Sequence, residues 1–145
     1  MPVILDRLGV AGLIPHRDAM CLLHEVLEAD DEQIRCRAVN HRNAAHPLRD
    51  AAGLPAICGI EYAAQAIAVH GAIKSGSPSG SGVLAALRDV KLHVERLDEL
   101  REDILIVARR LLDEGGRLVY EFSLRAGAQE LVEGRATVVL KRILE

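Results

Sequence analysis

The sequence predicts an α+β domain in which one long buried central helix faces an antiparallel sheet of five to six strands. Three observations predict it. One long segment has helix-forming composition and is apolar on nearly every side. Several shorter runs alternate apolar and polar residues, the period of a half-buried strand. Short Gly-containing turns separate those runs, as antiparallel hairpins require. No internal repeat or linker divides residues 1–145, so a single domain of that length is expected.

Taken in order, Pro15-His16-Arg17-Asp18 marks a turn ahead of the apolar run Met20 to Leu23, which leads into Val26 and Leu27. From Gln33 to Val39 the apolar Ile34, Cys36 and Ala38 alternate with Gln33, Arg35 and Arg37, a strand with one face buried. Asn40 to Gly53 loses all periodicity and reads as a long loop, of the kind that often carries function. Pro55 to about Ile73 is the helix. Pro55 suits its first position, and Ala56, Ile57, Ile60, Ala63, Ala64, Ile67, Ala68 and Val69 surround it with apolar groups. Lys74 to Gly82 is a flexible loop by composition. Arg88 to Glu95 alternates, Asp103 to Leu112 ends in Asp113-Glu114-Gly115-Gly116, and Leu118, Tyr120, Phe122 and Leu124 give a further strand before Gly127. Leu131 to Ile143 is the last strand.

Composition excludes several classes of function. Half the residues are apolar, but only Phe122, Tyr62 and Tyr120 are aromatic, so base stacking on single-stranded nucleic acid has little to work with. The formal charge of −3, with scattered basic residues, argues against a phosphate-backbone binder. The three cysteines, Cys21, Cys36 and Cys58, show no CxxC spacing and read as buried thiols in a reducing compartment. No apolar stretch reaches the ~20 residues of a bilayer span, and Asp6 and Arg7 interrupt the amino terminus, so a cytoplasmic protein is expected. No HxxxH, HxH or Cys/His cluster has metal-ligand spacing, and no phosphate-binding glycine motif is present, so neither metal nor cofactor is expected.

The least expected feature is a carboxylate inside the buried helix. Glu61 stands between Ile60 and Tyr62 among alanines, and an ionised carboxylate there must be paired, protonated or placed at a cleft. Gln65 lies about 40° from it around the helix and shares its face, whereas His70 falls near the opposite face. The alternative is that Glu61 simply reaches solvent. Among the histidines, His16 sits in the turn, His24 and His93 read as surface groups, and His41 and His46 lie in the long loop. A loop histidine is more often solvated than functional, but Pro47 restricts the backbone of His46 and helps fix its direction.

These residues resemble a known family. The stretch from Leu13 to Glu28 is similar to the opening of the 3-hydroxyacyl-acyl-carrier-protein dehydratases of type II fatty acid synthesis. Gly59-Ile60-Glu61-Tyr62-Ala63-Ala64-Gln65-Ala66 resembles their helix motif, in which Glu precedes a small-residue step and a Gln. Ala86 to Leu92 and Gln129 to Ala136 resemble their next strand and terminal hairpin. The loop departs from the pattern. His46 follows Ala45 rather than Gly and precedes Pro47-Leu48-Arg49-Asp50 rather than Phe-Pro-Gly-Asn-Pro, and Ala56 replaces the Gly after Pro55. In this it looks like the divergent branch found with aryl-polyene-type biosynthetic clusters.

The resemblance implies a hotdog fold and removal of water from a 3-hydroxyacyl thioester, carried by acyl carrier protein or coenzyme A. His46 would take the C2 proton and Glu61 would donate to the departing hydroxyl. Ala56 or Ile57 would offer a backbone N–H to the thioester oxygen, and Gln65 would orient the carboxyl. It further implies a homodimer, or a heterodimer with a related hotdog subunit, whose composite sites take the His loop and the Glu helix from different protomers. Arg42, Arg49 or Arg88 would then receive an acidic carrier. Two alternatives stay open: a hotdog thioesterase, in which the same Glu activates water, and a non-catalytic partner subunit.

Overall fold

The computed structural model describes residues 4–14, 18–76 and 82–140. The expected turn at Pro15, His16 and Arg17, the core of the Lys74–Gly82 loop and the end of the last strand at Ile143 lie outside the described residues. The elements run α1 (Arg7–Ala11), β1 (Glu25–Ala29), β2 (Gln33–Ala38), a 3-10 turn (Ala56–Cys58), α2 (Gly59–Ser75), β3 (Gly82–Leu92), β4 (Ile104–Glu114), β5 (Arg117–Ala126) and β6 (Gln129–Leu140). The six strands form one sheet in the order β1-β2-β4-β5-β6-β3, every neighbour antiparallel.

Local chemistry sets the hairpins. Between β1 and β2 the Asp30 carboxylate accepts the backbone N–H groups of Glu32 (2.8 Å) and Gln33 (2.9 Å), closing the turn with its own side chain. Between β4 and β5, Gly115 (φ 57°) and Gly116 (φ 84°) both take the left-handed region, as a two-residue hairpin with the sheet's own twist demands. The alternation read from sequence is the alternation of burial. Ile34, Cys36 and Ala38 on β2 and Ile104, Ile106 and Ala108 on β4 are fully buried and face α2. With so few rings available, the core is aliphatic, and Leu22, Leu23, Leu124 and Leu131 fill it beside Tyr62 and Tyr120. Burying each such leucine contributes roughly 1.5–3 kcal/mol, so many modest terms replace a few aromatic ones.

Three expectations need correction. Pro55 is not the first helical residue: its backbone is extended (φ −60°, ψ 146°), and a 3-10 turn precedes α2. The reason is a stitch to the segment after β3, where Ala56 N–H donates to the Glu95 carbonyl at 3.0 Å and Pro55 bridges Arg96. The strand placed at Arg88–Glu95 is β3, which begins six residues earlier and ends at Leu92. Its first half is an exposed apolar run without alternation, and a bulge between Arg88 and Lys91, with Asp89 at φ 53°, breaks the register. Finally, the 20-residue run Ala56–Ser75 contains an 18-residue window of mean hydropathy 1.3, long and apolar enough by length and composition to cross a membrane. Here it is the core helix, packed on β2, β4, β5 and β6.

The segment from Asn40 to Gly53 is irregular but tied down. His41 Nε2 meets the Leu100 carbonyl at 2.9 Å, and Arg42 donates to the Arg101 carbonyl at 2.5 Å. Asp98 accepts the Leu54 N–H at 2.8 Å and pairs with Arg96 and Arg49, and the Arg96 guanidinium foremost holds its carboxyl well below the usual carboxylate range. Gly53 stands against this cluster at φ 121°, where an added Cβ would lie 2.6 Å from Arg96 and Asp98. Gly53→Ala should therefore destabilise the protein by about 1–3 kcal/mol. Thermal melting reads this directly as a fall in Tm of several degrees, and an unchanged Tm would show that Gly53 is not required.

Candidate functional site

Glu61 lies in the first turn of α2 and reaches a groove of ≈ 420 Å³ lined by Met20, Leu48, Ile57, Cys58, Ile60 and itself. The lining is apolar apart from that one carboxylate. Gln65, fully buried on the same face, donates from Nε2 to Glu61 Oε1 at 3.2 Å. The same amide is held on both sides by the chain preceding β1: Nε2 donates to the Met20 carbonyl (2.7 Å), and Oε1 accepts the Leu22 N–H (2.8 Å). A side chain fixed by three bonds is a rigid reference for the carboxyl beside it.

His46 lies in the loop, 5% exposed, with both ring nitrogens engaged. Nε2 sits 2.9 Å from the Tyr62 hydroxyl, and Nδ1 accepts the Leu48 N–H at 3.1 Å. Burial foremost, then the nearby Arg49 and His41, lower its pKa. Within one chain His46 is not among the residues lining the Glu61 groove; Leu48, which covers Nδ1, is. Of the two backbone donors expected at the helix start, Ala56 is excluded, because its N–H is spent on the Glu95 carbonyl. Ile57 is half exposed and lines the groove.

The remaining candidates sort by surroundings. Cys58 lines the groove, but burial pushes its thiol pKa up, followed by Asp50, so it is held as the neutral thiol. Cys21 and Cys36 are buried, the latter pushed up to about 12 by burial. His41, expected to be solvated, is instead fully buried beneath the Leu100 carbonyl. His70 is also fully buried, between the Tyr120 hydroxyl (2.5 Å) and the Asp30 carbonyl (2.7 Å). His93, Glu130 and Glu133 bring ligand atoms within 4.8 Å of one another on the surface, a grouping made by the sheet and invisible to sequence spacing. His93 already pairs with Glu133 at 3.1 Å and holds that carboxyl pKa down.

The fold, a long core helix on a six-stranded antiparallel sheet, is that of hotdog proteins. The ApeP-like family, described as ApeP dehydratase, matches residues 8–144, and the chain belongs to it. The solved ApeI:P dehydratase heterocomplex from Xenorhabdus doucetiae is similar with a TM-score of 0.78 at 26% identity, over 90% of this chain and 90% of that one. A variant of an HP0420 homologue from Helicobacter felis is similar at a TM-score of 0.63 and 11% identity, over 90% and 84% of the two chains. A thioesterase variant from Pseudomonas aeruginosa reaches a TM-score of 0.52 at 14% identity, over 80% and 79%. These last two share the fold alone. No curated protein matches the chain. The resemblance to the aryl-polyene-type hotdog dehydratases is thus borne out.

Three buried imidazoles, His41, His46 and His70, have pKa values lowered chiefly by burial. The unfolded chain takes up protons near pH 6.5 that the folded chain refuses, so stability is full above that pH and falls as pH drops through it. Calorimetric Tm should therefore decline between pH 7.5 and 5.5, and His70→Gln should flatten the decline. A slope that His70→Gln leaves unchanged would remove His70 from this account.

Proposed function

We propose that the chain is a subunit of a dimeric hotdog dehydratase that converts a 3-hydroxyacyl thioester to its trans-2-enoyl form. The observation that carries this reading is the groove, an open apolar surface for an acyl chain with one oriented carboxyl at its wall. Glu61 donates its proton to the departing C3 hydroxyl, which leaves as water. His46 of the opposite protomer takes the C2 proton, and the C–H electron pair becomes the new double bond. The Ile57 N–H at the helix start steadies charge on the thioester oxygen, and Gln65 keeps Glu61 aimed.

A dimer is supported by β3. It ends the sheet, and its outer edge carries Val83, Leu84, Leu87 and Leu92, each 39–46% exposed. The other edge, β1, is partly covered by the pairing of Leu5 with Val26. An uncovered apolar edge strand invites a second subunit. The thioester carrier, acyl carrier protein or coenzyme A, is part of the proposal. Of the three arginines considered for it, Arg42 and Arg49 already have partners, while Arg88 is exposed on β3 opposite Arg135. The heterocomplex among the similar structures favours a second reading of the assembly, in which the opposite protomer is a different hotdog subunit.

Incubation of the purified protein with crotonyl or longer enoyl thioesters should give the 3-hydroxy product by mass spectrometry, with no free thiol. Thiol release without hydration would replace the proposal with a thioesterase. Glu61→Gln and His46→Ala should each reduce turnover by about 10²–10⁴-fold, and full activity in either variant would strip that residue of its role. A homodimer that hydrates on its own would reject the heteromeric reading; activity appearing only with a second hotdog subunit would establish it.

A further inference from the structure

Tyr62 directly follows Glu61 on the helix. Its side chain is fully buried, and its hydroxyl lies 2.9 Å from His46 Nε2 and 2.8 Å from Asn40 Oδ1. A core tyrosine needs a partner for its hydroxyl, and one would suffice. This one has two, and the second is the histidine of the active-site loop. We propose that Tyr62 and Asn40 are positioning residues that fix the tautomer of His46 and make Nδ1 its basic atom, an inference that rests on the dehydratase reading above.

The protons settle the assignment. The carboxamide oxygen of Asn40 only accepts, so the single hydroxyl proton of Tyr62 goes to it. The hydroxyl oxygen then accepts a hydrogen bond from His46, which places N–H on Nε2 and leaves Nδ1 bare. Nδ1 does accept, from the Leu48 N–H at 3.1 Å. Both ends of the ring thus agree on one neutral form. When Nδ1 gains the C2 proton, the imidazolium keeps its Nε2–H bond into the Tyr62–Asn40 chain, the arrangement by which a third group orients a catalytic base. The charged or titratable groups facing the ring are Tyr62 from α2, His41 beside Asn40, and Arg49 from the loop. Burial foremost, then Arg49 and His41, disfavour the cation.

Leu48 caps this base with its own backbone. Its N–H donates to Nδ1 and its carbonyl accepts the Cys58 thiol at 3.9 Å, while its side chain lines the groove of its own protomer. Freeing Nδ1 for substrate therefore means displacing one backbone amide of a groove-lining residue, with Tyr62 holding the ring in place meanwhile.

The test uses the intact dimeric protein. Nitrogen-15 NMR of the His46 ring should show Nε2 protonated and Nδ1 bare at neutral pH; the opposite tautomer would overturn the inference, whatever the protein's activity. Tyr62→Phe should shift those resonances and lower kcat on the order of ten- to a hundredfold with little change in KM, less than the whole contribution of a general base. Asn40→Asp places a carboxylate at the end of the chain, so it should raise the pKa of His46 and move the acidic limb of the pH–rate profile upward. That second variant keeps the question answerable if Tyr62→Phe fails to fold. An unmoved limb in Asn40→Asp, or an unmoved tautomer in Tyr62→Phe, would reduce Tyr62 to a core residue.

Discussion

Polar side chains carried into an apolar core must find partners there, and α2 carries three: Tyr62, Gln65 and His70. Each reaches a different part of the chain. Gln65 binds the backbone at Met20 and Leu22, His70 binds the β1–β2 turn at Asp30 and the Tyr120 hydroxyl on β5, and Tyr62 binds Asn40 and His46. An unpaired group at any of these positions would cost about 1–3 kcal/mol, a large share of a small domain's stability. Matching the helix therefore dictates where the surrounding segments lie. The groove beside Glu61 forms between two of them, the stretch ending at Met20 and the loop at Leu48, with the helix start as its floor.

Those matches explain what sequence reasoning reaches and where it stops. The strands with one face buried were plain from their alternation, because β2, β4 and β5 lie over the helix and must separate inward from outward residues. β3 was half hidden. At the edge both faces are open, and Val83 to Leu87 show no alternation to detect. Glu61 and Gln65 were legible as a pair because four residues along a helix is a fixed distance in space, and the 3.2 Å bond between them follows. The partners of Tyr62 and His70 are 16 to 50 residues away, beyond any local pattern. For the same reason His41 looked solvated: its burial depends on the Leu100 carbonyl, 59 residues on. The Ala56 N–H looked available because its acceptor, Glu95, lies after β3.

The loop bearing His46 has almost no regular structure, yet it is held at several points: by Leu100 and Arg101, by the Asp98 cluster against Gly53, and by Tyr62 from the helix. Altered neighbours around His46, relative to the resembled dehydratases, have thus not left a slack segment. Pro47 and Leu48 supply a local bond to the ring, and Tyr62 supplies a distant one.

The amide of Gln65 belongs at once to the core and to the site. It closes the backbone bonds of the segment entering the sheet and touches the carboxyl that faces the groove. Any substitution that disturbs the carboxyl through this position also unpins the chain at Met20 and Leu22. Drift here would be felt in folding yield before it was felt in turnover. The aim of Glu61 is in that sense inherited from the core, and selection for a stable protein alone would preserve it.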